Sequence, residues 1–199
     1  MNIGIYIYEN AEVLDFSGPF EVFATANRLP GGEGRFRVFL VAETPAAVCA
    51  RGGYSVNPHF DLAGHPPIDV LIVAGGVHTG ELGKAAVIDW ISRVADSASI
   101  VASVCTGAFL LAEAGLLRGR KATTHWEDIA DLRGAYPEVR VVEGRRWVDE
   151  GAVVSSGGIS AGIDMSLHLV ARLSTPDLAR ATARQMEFDW RTNATVDSD

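Results

Sequence analysis

"IDVLIVAGGVHTGELGKAAVIDWISRVADSASIVASVC", residues 68–105, decides the layer architecture. Its opening "IDVLIVAGG" (68–76) is a continuous apolar run closed by glycines, the pattern of a strand buried on both faces. "SIVASVC" (99–105) is a second run of the same kind. Between them, residues 82–97 place Leu82, Ala85, Ala86, Ile88, Trp90, Ile91 and Val94 on one broad stripe, which predicts a helix. Strand, helix and strand joined by short connections form a right-handed βαβ unit, and that unit requires a parallel sheet.

The same grammar extends in both directions. "IGIYIY" (3–8) and "FRVFLVAE" (36–43) read as strands, with shorter ones near 121–123, 139–142, 146–149 and 152–155. Helices are expected over 18–29, with Pro19 at the first helical position, and directly after Cys105. Two more are expected over 160–173, capped by Ser160, and over 175–188, with Thr175 as cap and Pro176 next. The predicted fold is a three-layer α/β/α sandwich on a mostly parallel, flavodoxin-like sheet. One domain over 1–190 is expected, with 191–199 a frayed polar tail.

Composition narrows the function classes. The 199 residues are 48% hydrophobic and carry a net charge of −8, with no basic run, so nucleic acid is not an expected partner. No apolar run reaches membrane length, and the first residues lack a basic n-region and cleavage site, which points to the cytoplasm. Cys49 and Cys105 read as free thiols rather than a disulfide. Neither has ligand-spaced partners, so no metal is expected, and no cofactor is called for.

Ligands of such sheets sit beyond the carboxyl ends of the strands. Three segments come due there: the one carrying Asp15, the Gly75-Gly76 pair, and Cys105. A cysteine between buried strand and helix start has the placement of a nucleophile elbow, and the helix N-terminus favours its thiolate. The competing reading is an inert buried thiol. Gly75, Gly76 and the Thr106 N–H are candidates for an oxyanion hole, although glycines end many strands for no chemical reason. Asp15 is either a helix cap or, beside a thiol, a carboxyl whose proton affinity is raised into the neutral range. His125 and His78 could reach the same edge, though lone histidines are more often structural. Cys49 reads as structural and Asp164 as a buried polar group near a helix start.

The ordered set "LDFSGPFEVF", "IDVLIVAGG", "SVCTGAFLLAEAGLLRGRKATTHW" and "SSGGISAGIDMSLHLV" resembles the ThiJ/PfpI branch of the class I glutamine-amidotransferase-like superfamily, across residues 3–188. Within it, the sequence is similar to isonitrile hydratases and to the ligand-sensing half of AraC-type regulators. No helix-turn-helix pair follows in this chain. The resemblance implies Cys105 as nucleophile, Asp15 as general acid/base, and the paired glycines Gly75 and Gly76. An aspartate in D-x-x-G-P favours the hydratase branch over deglycase and chaperone-like relatives. The resemblance further implies a homodimer acting on a small molecule, and Trp126, Phe20 and His78 are candidates for lining the mouth. The implied reaction adds the Cys105 thiolate to an isonitrile carbon, giving a thioimidate that water converts to an N-substituted formamide. Two alternatives stand beside it: a Cys-His hydrolase or amidase using His125, and a non-catalytic sensor with a readily oxidised thiol.

Overall fold

The computed structural model describes residues 1–193. Its central sheet has seven strands in the order β10-β11-β7-β6-β1-β2-β5. These are β1 (Asn2–Tyr6), β2 (Arg37–Ala42), β5 (Phe60–Asp61), β6 (Val70–Val73), β7 (Ile100–Val104), β10 (Trp147–Asp149) and β11 (Val153–Ser156). Every pairing is parallel except β10 with β11. Every residue of β6 and β7 is buried, which is why their sequences run apolar without alternation. On one side α1 (Val13–Ala26) packs with α6 (Ala161–Leu173) and α7 (Pro176–Gln185). A second group joins α2 (Thr79–Leu82), α3 (Ala85–Ala95) and α4 (Gly107–Glu113). The α/β sandwich read from the sequence is the one present.

Several local expectations differ. Helix α1 begins at Val13 rather than at residue 18, so Pro19 lies in the helix interior and the Asp15 carbonyl receives no N–H from it. Burial of Phe16, Val22 and Phe23 offsets that loss. The helix expected over 82–97 is two pieces, divided at Gly83 and Lys84. Ser160 precedes α6 without a side-chain cap, because it already has helical backbone angles and its Oγ accepts from Arg146 Nη2 at 3.3 Å. Thr175 does cap α7, its hydroxyl accepting from the Leu178 N–H at 3.1 Å.

Two short sheets lie outside the main one. β3 (Val48–Ala50) and β4 (Tyr54–Val56) form an antiparallel hairpin, while β8 (Lys121–Ala122) pairs in parallel with β9 (Arg140–Val141). One further helix, α5 (Ile129–Ala135), follows β8 and was not foreseen. The expected frayed tail is tied down at its start: Arg191 N–H donates to Asp164 Oδ1 at 2.8 Å, and Asn193 Nδ2 to the Trp147 carbonyl at 2.5 Å. Residues 194–199 of that tail lie outside the described residues.

Candidate active site

The path from β7 into α4 turns sharply at Cys105, whose φ is 55°. A non-glycine residue held there costs about 1–3 kcal/mol and persists only where its surroundings fix it. They do so here. The Cys105 N–H points at the Ser156 and Gly157 carbonyls, both at 3.2 Å, and its own carbonyl accepts from Thr124 Oγ1 at 2.9 Å. Gly107 then lets α4 descend onto β6, since a Cβ at that position would stand 2.2 Å from the Val73 carbonyl oxygen. The "CTG" of the sequence is thus a strained cysteine followed by a forced close approach.

Asp15 arrives from the first turn of α1 and is 0% exposed. Its Oδ2 accepts from the Gly75 N–H at 3.0 Å, while Oδ1 has no partner of ordinary hydrogen-bonding geometry. Burial pushes the carboxyl up to about 7, against the opposing pull of the Gly75 N–H, the Cys105 thiol and the Ile159 N–H. Gly75 sits between the two groups. A Cβ there would come within 2.7 Å of Asp15 Oδ2, Cys105 Cβ and Thr106 N alike.

The thiol moves in the direction opposite to that expected from the helix start. Burial, and then the Asp15 charge, push Cys105 up to about 12, and the Thr106 N–H pulls it back only in part. A helix of seven residues that buries its own N-terminus does not outweigh desolvation beside a carboxylate. At neutral pH the sulfur therefore keeps its proton, the carboxyl beside it is midway through its titration, and no free thiolate is present.

The glycine pair is also engaged differently from a simple oxyanion hole. The Gly75 N–H is given to Asp15. The Gly76 N–H donates to Thr106 Oγ1 at 2.9 Å, and that hydroxyl donates back to the Gly76 carbonyl at 2.9 Å. The Thr106 N–H favours the ionised sulfur and opposes the rise of the thiol.

Cys105 opens into a cavity of about 300 Å³ that also contains His78, Thr106 and His125. The His78 ring lies tilted against Phe109 with centroids 4.3 Å apart, and burial lowers its proton affinity. His125 turns Nδ1 toward Asp128 at 3.4 Å and Glu127 at 3.6 Å, and among the described residues no hydrogen bond joins it to Cys105. Trp126 lies outside this cavity, lining a neighbouring hollow. Phe20 is farther off, stacked on His59 in a third hollow, because α1 turns that face toward β2.

Arg51 and Glu12 line the cavity and form an ion pair at 3.1 Å, a feature the sequence reading missed. The signal was "ARGGY", whose Gly52 and Gly53 take φ of 70° and 77° and carry Arg51 to the mouth between β3 and β4. Cys49 is a free thiol exposed on that hairpin. Asp164 is fully buried, as expected, and pairs with Arg146.

Among the described residues no cluster of three or more His, Cys, Asp or Glu is arranged to hold a metal ion. No described helix is long and apolar enough to cross a membrane.

Known proteins share this arrangement of chain. The isonitrile hydratase of Pseudomonas putida is 35% identical over 191 residues, covering 94% of this chain and 78% of that protein. The HTH-type transcriptional regulator GbdR of Pseudomonas aeruginosa (strain UCBPP-PA14) is 29% identical over 94% of this chain, which spans only 51% of the regulator's length. A crystal structure of a ThiJ/PfpI family protein from Pseudomonas syringae superposes with a TM-score of 0.84 at 26% identity, over 99% of this chain and 78% of that one. The DJ-1/PfpI family model matches residues 1–172, and the chain belongs to the DJ-1/PfpI family.

Proposed function

We propose that the protein hydrates an isonitrile to an N-substituted formamide, with Cys105 as nucleophile and Asp15 as proton carrier. The observation that carries this reading is the Asp15 carboxyl, fully buried, raised to about 7 and set beside a thiol on a strained turn. Such a carboxyl exchanges protons at the pH of the cell.

The reaction starts from Cys105 as thiol and Asp15 as carboxylate. Asp15 takes the thiol proton as sulfur bonds to the terminal isonitrile carbon, then returns that proton to the same carbon. The product is a thioimidate on sulfur. Asp15, a carboxylate again, takes a proton from water as its oxygen adds to that carbon, and gives the proton to nitrogen. The C–S bond breaks as the hydroxyl proton passes to sulfur, releasing the formamide and restoring the thiol. Charge that gathers on sulfur during addition and release faces the Thr106 N–H. No oxidant, reductant or cofactor enters the balance.

Infrared loss of the isonitrile stretch with matching formamide appearance tests the proposal, and Cys105→Ala and Asp15→Asn should each abolish both signals. Absence of turnover over a panel of alkyl and aryl isonitriles sinks it. A homodimeric assembly is carried with this proposal and is read by sedimentation. The regulator relative supports a second reading, a domain that binds a small molecule without converting it. That reading predicts saturable binding with no product.

A further inference from the structure

Beside the Cys105 cavity lies a second hollow of about 370 Å³, and the two share His125 and Ile159 as wall residues. Nothing in the chemistry above uses it. Its outer wall is Trp126, whose indole is 75% exposed, the most exposed of the large apolar side chains among the described residues. Ile159 is 39% exposed at the divide.

Ile159 is costly twice over. It is apolar and left in water, and it is β-branched with φ of 54°, a backbone conformation such residues rarely adopt. Its N–H opposes the rise in the Asp15 carboxyl's proton affinity, so the strained backbone acts on the reacting site while the side chain rims both hollows. The divide is thin in one more respect. Gly158 lies directly against the His125 ring, where a Cβ would stand 2.0 Å from Cδ2. His125 and Trp126 follow each other with ring centroids 5.7 Å apart, so an aromatic surface runs from the first hollow into the second.

We infer that the second hollow is the subsite for the substrate's substituent, and that it takes a planar aromatic group laid across Ile159 and against the Trp126 indole. This rests on the hydratase reading for the position of the reacting carbon at Cys105. A flat ring covers two exposed apolar side chains at once and pairs with an indole face, an arrangement worth about 0.5–1.5 kcal/mol beyond the area it buries. Trp126 then acts as a specificity residue, remote from the reacting atoms.

The test is binding of the product-like probe N-phenylformamide to the wild-type chain, followed by the indole N–H signals in nitrogen-15 correlation spectra. The chain has four tryptophans, and the Trp126 signal is assigned as the one lost in Trp126→Phe. The inference expects N-phenylformamide to shift that signal, N-methylformamide to leave it in place, and Trp126→Ala to weaken N-phenylformamide binding about two- to tenfold. The exposed position of Trp126 means the variant keeps its fold, checked by an unchanged urea midpoint. An unmoved Trp126 signal, or equal binding by Trp126→Ala, overturns the inference. A Trp126 signal that responds to protein concentration and ignores the probe also overturns it, and assigns the hollow to a second copy of the chain. Turnover separates the two claims: N-phenylformamide seated at Trp126 with no isonitrile consumed refutes the hydratase and leaves the aromatic subsite standing. Isonitrile turnover with Trp126 silent does the reverse.

Discussion

Replacing Asp15 by Asn turns the buried carboxyl into a measurable pH dependence of stability. The carboxyl binds its proton with a pKa of 3.8 when solvated and of about 7 in the folded chain. The folded state therefore holds more protons than the unfolded one between those values. Stability must fall as pH rises through this window and level off above it. Integrated over the window, burial of the carboxyl costs about 1.7 kcal/mol at pH 5, where the folded chain keeps it protonated, and about 4.3 kcal/mol at pH 8, where it is mostly ionised. The amide of Asp15→Asn fits the same space and can accept the Gly75 N–H, but it has no proton to lose. The variant should thus gain on the wild type by about 2.6 kcal/mol between pH 5 and pH 8. Cys105 stays protonated across that range, being pushed up to about 12, and adds nothing to the slope. Urea melts of both proteins at pH 5, 6, 7 and 8 give the difference directly. Parallel stability curves for the two proteins would refute the raised carboxyl, and with it the proton carrier on which the proposed reaction depends.

The same pKa sets the rate profile: kcat/KM should rise with pH through about 7 and then hold flat to the alkaline limit, since the competent pair carries one proton. A profile that falls across pH 7 would contradict Asp15 as initial proton acceptor. Gly75→Ala should lose more than 100-fold in activity and about 1–3 kcal/mol of stability, because its Cβ meets three atoms at 2.7 Å; assay and urea melt together check it. His125→Ala should keep turnover within about tenfold, whereas a Cys-His hydrolase would lose nearly all of it. Arg146→Ala should cost about 3–5 kcal/mol in urea melts, since it strands the buried Asp164 carboxylate.

Periodicity carried the layers. Apolar runs at 68–76 and 99–105 could be nothing but central strands of a covered sheet, and β6 and β7 lie there fully buried. Where the reading slipped, the deciding contact came from elsewhere in the chain. Pro19 signals a helix start locally, yet packing of Phe16 and Phe23 extends α1 back to Val13 and carries Asp15 into its first turn. The glycine pair signalled open N–H donors, yet one serves Asp15 and the other Thr106, bonds across 60 and 30 residues. Arg51 reached the mouth through a hairpin of three-residue strands, too short to show an alternating pattern. Trp126 was legible as a site neighbour, but its place in the second hollow rather than in the Cys105 cavity is visible only in three dimensions.

A helix start beside a cysteine ordinarily argues for a resting thiolate, and a resting thiolate argues for easy oxidation. Here both inferences fail at one step. Burial raises the thiol, and the carboxylate beside it raises it further, so the proton that a thiolate would have lost stays within the pair. What the site stores is a proton on call, released from sulfur only when an electrophile arrives to accept the electron pair. A peroxide must meet the same condition without help from solvent, which the 7% exposure of Cys105 largely withholds. Removing the carboxylate charge should therefore lower the thiol's pKa. In the Asp15→Asn variant the pH midpoint of Cys105 alkylation by iodoacetamide should lie below that of the wild type, read by mass spectrometry of the peptide that carries it. An unchanged or higher midpoint would mean that the Asp15 charge does not hold the thiol's pKa up.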